Sequence, residues 1–284
     1  MKDSPKAILY NVDGAVLVGQ QPTAASIPVT MATDQPPVAV TFTPPGSLDG
    51  VVMGKVVLGG GTVGVLQVMR STPYTEPATA AIRSVSSSSA SDAAAGIGAR
   101  TVAITWYSST GAGPFVETVT MNGVTPVPLV STTGRFYDSI EVVTAGSSGV
   151  NVGTITLHVD NAGVGTIGTI GIGNLVAAVG DNRTLWAHHY IATNQEAHFS
   201  VLVAGIISGG SATNGQFFLR QRRPLVANSA EVLIGDVVLA IGAFERVFTF
   251  TPQVTGFAQI IAYGIPGTNN ATLTASFDWS EVAA

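Results

Sequence analysis

Between Gly98 and Asp160 apolar and polar side chains alternate with a period of two, and that pattern confines the chain to strands. Val102, Ile104 and Trp106 fall on one side of an extended backbone, with Thr105 and Tyr107 on the other. Phe115, Glu117, Val119 and Met121 alternate with Val116, Thr118 and Thr120; Ile155, Leu157 and Val159 alternate with Thr154, Thr156 and His158. The runs are rich in Val, Ile and Thr, and Gly, Pro and Asn stand between them as turn formers. Half-buried antiparallel strands follow, in the number and spacing of a β-sandwich or barrel.

The same pattern resumes after Asn182 in RTLWAHHYIA, AHFSVLVAGII, GQFFLRQRRPLV, AFERVFTFTPQV, GFAQIIAYGI and ATLTASFDWSEV. In the last of these Leu273, Ala275, Phe277 and Trp279 share one face. No helical period interrupts these runs, as a jelly-roll or similar sandwich requires. Between the two blocks, glycines at 163, 165, 168, 171, 173 and 180 mark a junction. The expected fold is therefore all-β: an extended N-terminal arm (1–46), a sandwich-like domain (47–161), a Gly-rich junction (162–181) and a C-terminal jelly-roll-like sandwich (182–284).

Prolines at 5, 22, 28, 36, 37, 44 and 45 break residues 1–46 into apolar pieces too short to build a core. Such an arm adds strands to a neighbouring sheet edge, with Ile27, Val29, Val38, Val40 and Phe42 as anchoring side chains. Gly59, Gly60 and Gly61 invite a phosphate-loop reading. The segment after them is strand-like, and the nearby Lys55 precedes them, so a hairpin turn between two strands is expected. In the low-complexity stretch Arg83 to Gly98, Asp92 is placed to cap a short helical turn closed by Gly96; a flexible connection is the other reading.

Charge is scarce: charged residues make up 10% of the 284, against roughly 25% in ordinary soluble domains. A surface so poor in charge points to coverage by other copies or other proteins, with a secreted Ser/Thr-rich domain as the alternative. The net charge of −5 supplies no basic surplus for nucleic acid. The absence of cysteine removes disulfides and thiolate metal sites. Neither a signal peptide nor a membrane-spanning apolar run is read in the sequence, and no cofactor is implied.

Sites for chemistry are few. His188, His189, Glu196 and His198 lie close in sequence, but adjacent strand residues point to opposite faces, so ordinary strand histidines are expected over a metal cage. His158 reads as a surface residue without a partner. Arg220, Arg222 and Arg223 form a basic cluster expected to meet acidic residues of the same sheet or of a neighbouring subunit. Asp138, Glu141, Asp160, Asp278 and Glu281 are scattered, so a glycosidase pair assembled from them is arbitrary. No serine sits in a nucleophile elbow. An enzyme is not expected.

The phrase ASIPVTMATDQPPVAV (Ala25 to Val40) resembles segments of virion structural proteins of tailed bacteriophages. SASDAAAGIGARTVAITWY, ETVTMNGVTPV, FYDSIEVVTAGSSGVNVGTITL and the C-terminal ASFDW are similar to such proteins as well. The resemblance implies a Gly/Thr-rich β protein assembled as a multimer with other capsid or tail proteins in a virion made in the host cytoplasm. It transfers no functional residue. Two placements follow: a capsid decoration or cement protein, expected as a homo-oligomer such as a trimer, or a tail or fibre protein binding a host glycan. For the second, Trp186, Tyr190 and Trp279 are the sugar-stacking candidates, with burial in the core as the competing assignment.

Overall fold

A computed structural model describes residues 48–57, 66–67, 74–171, 180–208, 214–227, 229–240, 242–247, 253–266 and 271–284. The anchoring residues Ile27, Val29, Val38, Val40 and Phe42 lie outside this set, as do Gly59, Gly60 and Gly61. The strands begin with β1 (Leu48–Val57) and β2 (Leu66–Gln67). Next come β3 (Ser84–Ser87), β4 (Ala99–Ser108), β5 (Phe115–Thr120), β6 (Val127–Pro128), β7 (Gly134–Ala145), β8 (Ile155–His158) and β9 (Gly168–Ile170). The C-terminal group is β10 (His188–Ile191), β11 (Gln195–Ser208), β12 (Asn214–Arg222), β13 (Val232–Ala240), β14 (Gly242–Val247), β15 (Gln253–Thr255), β16 (Ala258–Pro266) and β17 (Ala271–Ala283).

The protein is all-β: no helix occurs among the described residues, and every ladder between strands is antiparallel. The described residues form four sheets, ordered β1-β17-β11-β14 with β15 on β11, β10-β16-β12-β13 with β2 on β16, β6-β3-β8-β9, and β5-β4-β7. The hairpin expected between β1 and β2 does not form as a pair. β1 runs along β17 and β2 along β16, so the two strands join different sheets. Part of the stretch read as a junction is also structured, because β9 pairs with β8 and is buried.

Two buried clusters meet at the sheet containing β10 and β16. On one side Ile191, Phe217, Leu219, Ile260 and Ala262 pack with Phe199, Leu273, Ala275 and Phe277 of the sheet built on β11 and β17. On the other, Tyr190, Ile261 and Tyr263 pack with Val102, Ile104, Phe136, Ile155 and Ile170 from the sheets between β3 and β9. The period-two alternation thus sends successive residues of β10 and β16 into different cores. This strand pair is a shared wall with no wet face. Trp186 ties in the expected junction: a Cβ added to Gly168 would lie 1.8 Å from its ring, so only glycine fits there.

Irregular segments are held by short polar side chains. Asp92 caps no helix. It is fully buried, and its carboxylate accepts hydrogen bonds from Ala99 N (2.7 Å), Val152 N (2.9 Å), Gly153 N (2.8 Å) and Ser87 Oγ (2.6 Å). It thereby staples the end of β3, the start of β4 and the approach to β8. Asn151 and Asn182 clasp each other reciprocally, each backbone N–H donating to the other's side-chain oxygen (3.1 and 3.0 Å). His158 is not free: its ring nitrogens meet Ser86 Oγ (2.8 Å) and Gly165 O (3.0 Å).

Replacing Asp92 by Ala orphans three backbone donors, two of them buried, and at roughly 1–3 kcal/mol for each buried one the loss is expected to be about 3 kcal/mol. Denaturant midpoints of wild type and Asp92→Ala check this. Gly168→Ala forces a carbon into the Trp186 ring and is expected to cost about 1–3 kcal/mol as overpacking, read from the same curves.

Candidate functional site

The most unusual chemistry in the described residues sits on β10. The chain reaches it alongside β7: Val142 N donates to Asn182 O (2.7 Å) and Thr184 N to Ile140 O (2.9 Å). β10 then carries His188 and His189, both buried and, as expected of strand neighbours, with different surroundings. His188 enters the aromatic cluster, 4.6 Å from Tyr74, 5.2 Å from Trp186 and 5.5 Å from Tyr190 between ring centroids. Its Nε2 donates to the carbonyl oxygen of Asp138 (3.2 Å), and its Nδ1 accepts from Gln259 Nε2 (3.2 Å). One donor and one acceptor describe a neutral imidazole. Burial pushes its pKa down to about 4, which agrees.

His189 is held the opposite way. Its Nδ1 lies 2.8 Å from Asp138 Oδ2 and its Nε2 2.5 Å from Glu281 Oε1, so both nitrogens donate to carboxylates. Burial works against charge here too, but Asp138 and Glu281 outweigh it and lift the pKa to about 9. The ring is an imidazolium. Trp279 lies over it at 4.0 Å between ring centroids, a cation–π contact. Asp138 also accepts from Tyr190 N (3.0 Å) through its second oxygen. Glu281 is only 1% exposed. The Asp138–His189–Glu281 bridge therefore ties β7, β10 and β17, members of three different sheets. The sequence showed these carboxylates as scattered; only register and packing bring them together around one ring.

This arrangement is a closed structural bridge. The carboxylates flank opposite edges of the imidazole, and among the described residues no cluster of His, Asp and Glu is arranged to hold a metal ion. Nearby, His198 Nε2 pairs with Glu196 Oε1 (2.8 Å) at a partly exposed position.

Two members of the basic cluster are used inside the chain. Arg220 meets Glu231 (3.1 Å), which directly precedes β13. Arg222 pairs with Glu76 and Gln259, and Glu76 also approaches Arg135 of β7 (3.7 Å). Arg223 is exposed. The pairing with acidic residues is thus satisfied for Arg220 and Arg222 without a neighbouring subunit. Of the aromatic candidates, Trp186 is 2% exposed and Tyr190 fully buried, and Trp279 covers His189. Trp186 and Tyr190 are core side chains. An accessible ring that the sequence did not single out is Phe115, in the wall of an open hollow at the tip of the β4–β5 hairpin.

The two histidines set a stability optimum. His189 has a folded pKa above the ordinary 6.5, so its contribution is complete below pH 6.5 and is lost as pH rises through 9. His188 has a folded pKa below 6.5, so its contribution is complete above pH 6.5 and is lost as pH falls through 4. Each limb is expected to span roughly 3 kcal/mol, with the maximum near pH 6.5, read from unfolding free energies across pH. His189→Ala leaves the buried Glu281 and the partly buried Asp138 without the cation between them. It is expected to lose about 3–5 kcal/mol and to flatten the alkaline limb.

No protein-family model matches the chain, and no curated protein matches it.

Proposed function

We propose that this chain is a non-enzymatic structural component of a tailed-bacteriophage virion, anchored through residues 1–46 and displayed on the particle surface as a capsid decoration or cement protein. The observation that carries the reading is how little charge the chain has, 10% of its residues, with part of that paired or buried. Glu76, Glu231, Arg220 and Arg222 pair with one another, and Asp92, His189 and Glu281 are spent inside. Large apolar side chains stand in water instead: Val130 is 87% exposed and Val116 65%, with Val232 and Leu233 also exposed. Val116 lies on β5, the outer strand of its sheet, where unpaired backbone groups suit addition of another strand.

In this reading the sheets built on β17–β11 and β16–β12 are the two leaves of a C-terminal jelly-roll-like sandwich. The arm supplies strands to a sister chain or a capsid neighbour, with Ile27, Val29, Val38, Val40 and Phe42 setting the register. A homo-oligomer of closed symmetry, a trimer or similar ring, completes the apolar surface. The motif phrases described above for tailed-phage structural proteins point the same way.

A tail or fibre placement with glycan binding is the second reading. Its aromatic platform cannot be Trp186 and Tyr190, which are buried, and the hollow beside Phe115 is the feature that favours it. Glycan hydrolysis draws no support from Asp138 and Glu281, since both are bound to His189.

Full-length chain and a version lacking residues 1–46 are to be compared by sedimentation and by incorporation into purified particles. The truncated chain is expected to stay soluble and to be missing from particles, while the full chain sediments as an oligomer. Normal incorporation without the arm, or a full-length monomer at micromolar concentration, rejects the assembly reading.

A further inference from the structure

The tip of the β4–β5 hairpin and the turn between β10 and β11 enclose an open hollow of about 510 Å³ whose wall includes Thr110, Pro114, Phe115, Thr193 and Asn194. We propose that this hollow is a binding subsite for an uncharged pyranose unit of a glycan. The inference rests on the hollow alone and holds whether or not the chain belongs to a virus particle.

The walls are built in advance. Thr193 N donates to Gly111 O (3.0 Å) and Thr193 Oγ1 to Thr110 O (2.9 Å), fastening the hairpin tip to the β10–β11 turn. Inside the tip, Ser108 Oγ accepts from Thr110 N (3.2 Å) and Ala112 N (3.1 Å). Gly111 has φ +80 and lies against the Phe257 ring, where an added Cβ would sit 2.5 Å away. A hollow so fastened costs little further ordering when a ligand enters.

The lining selects the ligand class. It contains no ionisable side chain, so phosphate, carboxylate and ammonium groups find no countercharge. Phe115 is 43% exposed and is backed by Trp106 at 4.7 Å between ring centroids. The lining also holds Asn194, with its neutral carboxamide, and two threonines whose hydroxyls are already bonded within the walls. Thr193 Oγ1 bonds Thr110 O (2.9 Å) and Thr110 Oγ1 pairs with Ser108 Oγ (2.8 Å), each oxygen keeping capacity to accept. A pyranose offers the complement, an apolar C–H face for the ring and hydroxyls for the amide and threonines. The volume lies within the roughly 300–1,000 Å³ of small-ligand sites, ample for one or two sugar units.

The test is titration of the full-length chain, followed by saturation-transfer NMR and calorimetry. The probes are the methyl glycosides of glucose, galactose, mannose, rhamnose and N-acetylglucosamine, with sialyllactose and glucose 6-phosphate as charged comparators. At least one neutral glycoside is expected to bind saturably and more tightly than either charged probe. Phe115→Ala and Asn194→Ala are each expected to weaken it about tenfold or more, the equivalent of about 1.4 kcal/mol, with the melting temperature kept. Should Phe115→Ala fail to fold, Asn194→Ala at its exposed turn position decides. Absence of saturable binding by every neutral glycoside, equal or tighter binding of the charged probes, or unchanged affinity in the folded variants overturns the proposal.

Discussion

Strand β10 has no wet side, and the rest of the architecture follows from how its polar side chains are satisfied there. A strand walled in on both faces ordinarily reads as continuous Val and Ile, because an unpaired polar group inside costs more than a methyl. Here two adjacent histidines occupy that place, and each is matched differently. His188 stays neutral by donating to a carbonyl and accepting from Gln259, whereas His189 becomes a cation held between Asp138 and Glu281. The bridge joins three sheets at one ring. Its hydrogen bonds are directional, so they pick out which side chains of β7, β10 and β17 meet there.

The same economy runs through the rest of the chain. Few charged residues are present, and many of those described act as internal fasteners: Asp92 gathers three backbone donors and a hydroxyl, Arg83 is buried against the carbonyl oxygens of Thr79 and Val159, and Glu76 receives Arg222 and Arg135. With neither helices among the described residues nor cysteines in the sequence, loops between short strands depend on these fasteners. Charge buried at Asp92, Arg83 and Glu281 is charge withdrawn from the surface, and among the described residues valines such as Val116 and Val130 stand exposed.

Burial also redistributes the roles that residue types suggest. Tryptophan and tyrosine on an apparently half-polar strand look like a sugar platform, yet Trp186 and Tyr190 fill the space between the wall and the sheets before it. Phe115 shares its phase with Val119 and Met121 on the dry side of its hairpin, but β5 is an outer strand and its first residues are exposed. The accessible ring is therefore the one whose pattern pointed inward.

The all-β class, the antiparallel pairing and the inward face Leu273–Ala275–Phe277 were legible in the sequence, because a two-residue period is a property of each strand by itself. The opposite surroundings of His188 and His189 were legible for the same reason. Which strands became neighbours was not: β1 and β2 part to different sheets, and the glycine-rich stretch expected to separate two bodies contributes Gly168 to the seat of Trp186. Nor could the pattern place Asp138 and Glu281, 143 positions apart, on either edge of one imidazole. Local alternation states which way a side chain points; what it meets there depends on register between distant strands, and that is settled only when whole sheets pack and exclude water.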